Sequence, residues 1–270
     1  MNTVERFSIV RISEEGENDT EDVIAREFSL TIILNNQELA TLLCSPTDLE
    51  YLAIGFLFSE GLLKSKDGIK KMVLDTEKGV VRVATEEAGE LAQGVSFKGL
   101  ITSGGGKGLQ SYSAIAGTSR AKIKSQTKVS APKVFALVNE FVQHSQVFKA
   151  TGGVHSAALC HTKGILVFSE DIGRHNAIDK IFGECILRDI PTDDHMMITS
   201  GRVSSEILLK VAKRNIPILI SKSAPTNLGV RLADELGITL IGFVRGKKMN
   251  IYTNRWRVVA QKHEQGDLQL

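Results

Sequence analysis

A three-layer α/β domain behind a smaller α+β domain is the architecture this sequence predicts, on three observations. From residue 156 onward, short apolar runs alternate with amphipathic helical segments. An apolar hairpin pattern stands near the N-terminus, and a stretch rich in Gly, Ser, Ala and Lys separates the two regions. The first twenty or so residues are polar and are expected to fray. EFSLTIIL (27–34) and LATLLC (39–44), separated by Asn35-Asn36-Gln37-Glu38, read as a β-hairpin. Ser45-Pro46-Thr47-Asp48 then has the S/T-x-x-D/E capping pattern with Pro at the first helical position. Leu49, Leu52, Ala53, Phe56 and Leu57 follow on one face of a helix that Gly61 stops. Residues 69–74 and 79–84 predict two more strands, and 86–128 a loop-bearing connection, which divides the chain into domains at 1–125 and 126–270.

In the second half, Pro132 opens a helix with Val134, Leu137, Val138, Phe141 and Val142 on one face. Strands at 156–160 and 164–169 are joined by His161-Thr162-Lys163. A helix at 176–187, with Ile178, Ile181, Phe182, Cys185 and Ile186 on one face, precedes a strand at 196–199 and a helix at 203–214. A strand at 216–221, a helix at 225–236 ended by Gly237 and a strand at 238–244 complete the series. This alternation predicts a largely parallel core sheet with helices on both faces.

Composition narrows the function classes. The 270 residues carry 33 Lys+Arg against 31 Asp+Glu, a net charge of +2, which lacks the basic excess of a non-specific nucleic-acid binder. No apolar run approaches the roughly 20 residues of a membrane span. The acidic N-terminus lacks the apolar core of a signal peptide, so a cytoplasmic location is expected. Three dispersed cysteines, Cys44, Cys160 and Cys185, with no C-x-x-C, support neither a disulfide framework nor a cysteine zinc site, and no metal site is expected.

In open α/β sheets ligands bind beyond the carboxyl ends of the strands. Here the segments following four strands are Glu170-Asp171-Ile172-Gly173-Arg174-His175-Asn176, Ser200-Gly201-Arg202, Lys222-Ser223 and Arg245-Gly246-Lys247-Lys248. Each delivers a cation to one rim, and three precede a helix N-terminus, which also favours an anion. A phosphorylated ligand is the expectation; any single one of these cations also suits a solvated surface. Thr151-Gly152-Gly153-Val154-His155-Ser156 sets a histidine beside a flexible double glycine, as the entry to a crevice or as a structural histidine. Thr102-Ser103-Gly104-Gly105-Gly106-Lys107-Gly108 suggests a phosphate loop, but Ile101 and Gly108 stand where a Walker A motif needs Gly and Ser/Thr. Leu109 likewise replaces the third Gly of a G-x-G-x-x-G fingerprint, and a surface loop fits the same composition.

The runs PTDLEYLAIGFLFSEGLL (46–63), TGGVHSAAL (151–159), EDIGRHNAIDKIFG (170–183), SGRVSSEILLK (200–210), SKSAPTNLGVRLADELGITLIGFVRG (221–246) and NIYT (250–253) strongly resemble the FdhD family of formate dehydrogenase accessory proteins. The likeness runs in order from about residue 22 to 256. It implies a cytidine deaminase-like fold for the C-terminal domain and a cytoplasmic, dimeric sulfur carrier. Such a protein takes sulfur as a persulfide from a cysteine desulfurase and passes it to the molybdenum cofactor, in its bis-guanine-dinucleotide form, before insertion into formate dehydrogenase. The resemblance further implies cofactor contacts along Phe243, Val244, Arg245, Gly246, Lys247 and Lys248. With the rim, these make a cofactor-binding set that includes His155, Asp171, Arg174, His175, Asn176, Ser200, Gly201, Arg202, Ser221, Lys222 and Ser223. Deaminase chemistry does not follow, because H-x-E and P-C-x-x-C are absent.

One departure bears on mechanism. Where the family reads C-G-x-C-G, this chain reads Gly104-Gly105-Gly106-Lys107-Gly108, so Gly104 and Lys107 occupy the positions of the motif cysteines. Neither side chain can carry a persulfide. The chain then binds the cofactor without transferring sulfur, or relies on a partner's thiol, or uses another of its own. Among its own, Cys44 is expected to be the candidate, its pKa lowered by a following helix N-terminus, while Cys160 and Cys185 read as packing residues. The alternative from a different class is a non-catalytic scaffold that binds guanine nucleotide or cofactor.

Overall fold

The computed structural model describes residues 1–86, 100–101 and 122–259. The first two strands, β1 (Val4–Ser13) and β2 (Gly16–Ala25), pair antiparallel over ten rungs as a separate ribbon where fraying was expected. β3 (Phe28–Leu34) and β4 (Gln37–Cys44) form the expected hairpin, closed by Asn35 and Asn36, both left-handed at φ 46° and 67°. Asparagine tolerates that conformation, and two such residues in succession make the turn whose twist suits a hairpin.

Helix α1 (Leu49–Ser59) starts later than its capping pattern implied. Asp48 stands at the N-cap with φ 53° and makes no side-chain cap. Ser45 is instead committed elsewhere: its amide donates to Asp171 Oδ2 (3.0 Å) and its hydroxyl accepts from the Ile172 amide (3.1 Å). β5 (Ile69–Asp75), β6 (Val80–Thr85) and β7 (Leu100–Ile101) complete a sheet of order β5-β6-β3-β4-β7, whose inner face packs on α1 through Leu30, Ile32, Leu42, Leu52 and Leu57.

After β8 (Val129–Ser130), α2 (Ala131–His144) begins with Ser130 accepting from the Lys133 amide, and the short α3 (Gln146–Thr151) follows. Then come β9 (His155–His161), β10 (Gly164–Asp171), α4 (Arg174–Leu187), β11 (Met196–Thr199), α5 (Ser205–Lys213), β12 (Ile218–Ser221), α6 (Asn227–Glu235), β13 (Thr239–Arg245) and β14 (Lys248–Ile251). β15 (Val258–Val259) pairs parallel with β8.

The six strands β9–β14 form one sheet of order β10-β9-β11-β12-β13-β14. Helices α4, α5 and α6 pack on one face around Ile178, Phe182, Leu208 and Leu232, while α2 covers the other through Val134, Leu137 and Phe141. The three layers are as expected; the parallel sheet is not. Only β11–β12 and β12–β13 are parallel, whereas β10–β9, β9–β11 and β13–β14 are antiparallel. The reason lies in the connections, since a turn as short as Thr162-Lys163 cannot make a parallel crossover.

Helix α1 crosses α4 with the two backbones in contact. A Cβ on Gly55 would lie 1.8 Å from the Asp179 carbonyl oxygen, and one on Gly183 1.8 Å from that of Tyr51. This crossing brings the first sheet and the six-stranded sheet onto a common pair of helices.

Candidate functional site

Strand direction assembles the rim. Because β9 is antiparallel to both β10 and β11, and β11, β12 and β13 are mutually parallel, the carboxyl ends of β10, β11, β12 and β13 emerge on one edge. β9 enters at that same edge with His155, and β14 leaves from it with Lys248. The four cationic loops therefore converge even though three of the five strand pairings are antiparallel.

A cavity of about 570 Å³ opens at this edge. Of the residues expected to bind, His155, Ser200, Lys222, Ser223 and Arg245 line it. The opposite wall, from α2 and α3, consists of Phe141, Val142, Ser145 and Phe148, with Gly152, Gly153 and Val154 leading into β9. Sequence reasoning placed the double glycine at a crevice but missed Ser145 and Phe148. The turn between α2 and α3 that aims them inward leaves no periodic signal.

Cations crowd the rim. Arg174 is shifted below its usual pKa by burial and then by the charge of Arg202. Lys222 is likewise lowered by burial and then by Arg245, and His155 by burial and then by Arg174. Each shift records first a cation drawn out of water and second a like charge beside it, and an anion offsets both. The neutral His155 reaches Ser200 Oγ through Nδ1 at 3.4 Å, and Ser200 Oγ accepts from the Ser156 amide (2.9 Å). Arg202, Arg245, Gly246, Lys247 and Lys248 are exposed. Phe243 is 39% exposed at a bulge in β13, with φ 52° and its amide donating to the Ser223 carbonyl (3.1 Å). Left-handed backbone at an aromatic residue is uncommon and costs energy, and here it turns the ring out onto the rim.

Other members of the expected set face inward. Asp171 is fully buried and saturated: beyond Ser45 it accepts from the Gly173 amide (2.8 Å), from Asn176 Nδ2 (2.9 Å) and from Lys180 (2.8 Å). Asn176 Nδ2 also donates to the Leu43 carbonyl (2.9 Å). These two residues brace the loop that carries Arg174, and the Asp171 carboxylate has no oxygen left for a ligand. Ser221 is buried, donating to the Gly201 carbonyl and accepting from the Ser223 amide. Val244 packs in the core, offering only its backbone. Gly201 provides clearance, since a Cβ there would lie 2.9 Å from Arg174 Cβ.

His175 is 8% exposed, with Nε2 3.6 Å from Glu206 Oε2. Its pKa is pushed down to about 3, chiefly by burial and then by Lys210, Arg174 and His155. The ring is neutral in the fold and gains its proton on unfolding below about pH 6.5. Stability from this group is therefore fully present above pH 6.5 and is lost as pH falls from there toward 3. The unfolding midpoint in urea is expected to drop between pH 7 and 5, and His175→Gln to flatten that drop. Equal slopes in the two proteins would show that His175 is not the titrating group.

Cys44 contradicts the expectation of a reactive thiol. It ends β4 at 0% exposure, four residues short of the α1 N-cap. Burial, reinforced by Asp171, pushes its pKa up to about 12. Cys185 is raised to about 12 and Cys160 is raised as well, both mainly by burial, and all three are buried free thiols. Gly104 and Lys107 lie outside the described residues.

Comparison with known proteins places the chain in a family. Residues 25–259 match the model of the FdhD/NarQ family. The sulfur carrier protein FdhD of Bacillus subtilis is 44% identical over 246 residues, covering 91% of this chain and 94% of that protein. Its counterpart in Bacillus pumilus is 40% identical, covering 95% and 98%. A crystal structure from Desulfotalea psychrophila, described as that of a formate dehydrogenase accessory protein, superposes with a TM-score of 0.78 at 24% identity, covering 96% of this chain and all of that one.

Proposed function

The chain belongs to the FdhD/NarQ family, and from that premise we propose that it is a formate dehydrogenase accessory protein that holds the molybdenum cofactor at the cationic rim without carrying sulfur on a thiol of its own. The observation that carries this reading is the convergence of four cationic loops on one edge of the sheet, where Lys222 and Arg245 line the cavity and Arg174 and Arg202 lie close enough to each other for their charges to interact. The cofactor's bis-guanine-dinucleotide form presents pyrophosphates, which guanidinium groups grip with paired, charge-assisted hydrogen bonds. The apolar wall of Phe141, Val142 and Phe148 suits a flat purine, and Ser200 and Ser223 offer hydroxyls to its polar edge.

Sulfur is the point of difference from the relatives named as sulfur carriers. A persulfide forms on an accessible thiolate. The chain's three thiols are buried and held protonated, and its glycine-rich sequence has Gly104 and Lys107 at the motif positions. Any sulfur reaching the bound cofactor then comes from a partner's thiol, with a cysteine desulfurase as donor and formate dehydrogenase as recipient in the cytoplasm. The buried thiols also favour the second reading, a cofactor-binding scaffold with no transfer step.

Two measurements test the proposal. GDP, the nucleotide half of the cofactor, is expected to bind by calorimetry, with Arg174→Ala and Arg245→Ala each weakening it about tenfold, the size of one charge-assisted contact. Unchanged affinity in both variants removes the rim as the site. Intact-mass spectrometry after incubation with a cysteine desulfurase and cysteine is expected to show no added sulfur. A gain of one sulfur atom that vanishes in Cys44→Ala would return the carrier role to this chain.

A further inference from the structure

We propose that His155 takes up a proton when the rim binds a pyrophosphate, so that an imidazolium beside Ser200 joins the neighbouring cations in holding the ligand. The inference rests on the function proposed above, because it concerns the same cavity. Of the residues lining that cavity, only the histidine has an ordinary side-chain pKa near neutrality. The ring is held in place by β9. His155 opens that strand opposite Asp171 of β10, with Nδ1 3.4 Å from Ser200 Oγ, which already accepts from the Ser156 amide (2.9 Å). Whichever nitrogen carries the one proton of the neutral ring, a second proton adds a donor. If the first is on Nε2, the second goes to Nδ1 and donates to Ser200, whose own hydroxyl proton then turns toward a phosphate oxygen. If the first is on Nδ1, Nε2 exchanges a lone pair for an N–H. Either way the pair gains one hydrogen bond and one positive charge to offer an anion.

Until a ligand arrives, the surrounding charges keep the ring neutral. The start of α4 brings Arg174, with Arg202 beside it, and His175, itself neutral; Lys222 and Arg245 line the same cavity. Asp171 and Glu170 stand at the end of β10, and both carboxylates are engaged elsewhere. Asp171 is ion-paired with Lys180 (2.8 Å), and Glu170 accepts from the amides of Val147 (2.9 Å) and Phe148 (3.0 Å) at the start of α3. Burial, and then Arg174, therefore hold His155 below its usual pKa, and the attraction of Asp171 does not make up the difference. A pyrophosphate reverses that balance, because its negative charge inside the cavity favours the charged ring. The proton comes from solvent on binding and returns to solvent on release, so handing the ligand on is favoured as pH rises.

GDP-glucose is the probe, since it is a pyrophosphate diester without the terminal phosphate of GDP, a group that titrates near about pH 6. Calorimetry of the full chain at pH 7, in buffers of different ionisation enthalpy, counts the protons taken up. Net uptake of at most about one proton per ligand is expected, and none with His155→Gln. Affinity is expected to fall between pH 6 and pH 8, by up to about tenfold per pH unit. His155→Gln is expected to bind about tenfold more weakly than the unaltered chain at pH 6 and equally at pH 8. A residue that only shaped the cavity would weaken binding alike at both. NMR of the histidine-labelled chain at pH 7 reads the same event without a substitution: the His155 ring is expected to move from the neutral to the imidazolium position as GDP-glucose is added. His175→Gln is expected to keep the uptake, because that ring faces Glu206 and does not line the cavity. Binding without proton uptake, or uptake that survives in His155→Gln, would overturn the inference and leave the rim reading standing. Failure of the unaltered chain to bind either GDP-glucose or GDP would overturn the rim reading and this inference with it.

Discussion

Gly183→Ala is expected to destabilise the chain by about 3 kcal/mol, at the upper end of what overpacking costs. Its added methyl would lie 1.8 Å from the carbonyl oxygen of Tyr51, a backbone atom that cannot rotate away. The only relief is to push α1 and α4 apart, which opens the contacts of Leu52, Leu57, Ile181 and Phe182 made on either side of the crossing. Gly55→Ala meets the reciprocal obstacle at Asp179 and is expected to cost a similar amount. Gly68→Ala is the control: its methyl would meet only the Leu63 side chain at 3.5 Å, and its effect is expected to stay within about 0.5 kcal/mol. Urea unfolding measures all three, read as a shift in midpoint at constant slope. Equal shifts for Gly183 and Gly68 would show that the helices separate at little cost. Because Arg174 opens α4, the same displacement is expected to weaken GDP binding in whatever fraction of Gly183→Ala stays folded.

That crossing marks where sequence reasoning stopped. Apolar spacing located α1, α2, α4, α5 and α6 and the strands between them, because period and turn residues are local signals. The rim was legible for the same reason, since the residues after each strand can be read without knowing their partners. Non-local features were not. Gly55 and Gly183 each cost their helix stability relative to alanine, and that cost was itself the sign of a close approach. The β1–β2 ribbon escaped because GENDTEDVIA has too few apolar residues to announce a strand; pairing with VERFSIVRIS supplies the hydrogen bonds instead. Cys44 was misread because a capping pattern was taken for a helix start, whereas Ser45 spends its groups on the loop of Asp171. The same oversight put Asp171 and Asn176 among the ligand contacts, since a polar residue after a strand looks alike whether it faces out or in.

Lys180→Met is expected to cost about 3–5 kcal/mol, the range for removing one partner of a buried ion pair. Lys180 and Asp171 are 2.8 Å apart with no side-chain exposure, and the ammonium also reaches the carbonyls of Ser45 and Glu170 at 3.3 Å. Without Lys180 the Asp171 carboxylate loses its only ionic partner in this network while remaining out of water. Asp171→Leu is expected to cost as much, by stranding the ammonium and releasing the amides of Ser45 and Gly173 and Nδ2 of Asn176. The double variant separates a charge effect from a brace. If attraction between the charges were all that mattered, joint replacement by apolar groups would return stability close to the original. Three donors still lose their acceptor, at about 1–3 kcal/mol for each one left buried and unpaired. The double variant is therefore expected to remain destabilised, by less than the sum of the singles. Recovery to the stability of the unaltered chain would show that the pair holds only itself. Persistent loss, accompanied by weakened GDP binding at a rim that Asp171 never touches, would show that the first sheet positions Arg174 through Ser45 and Leu43.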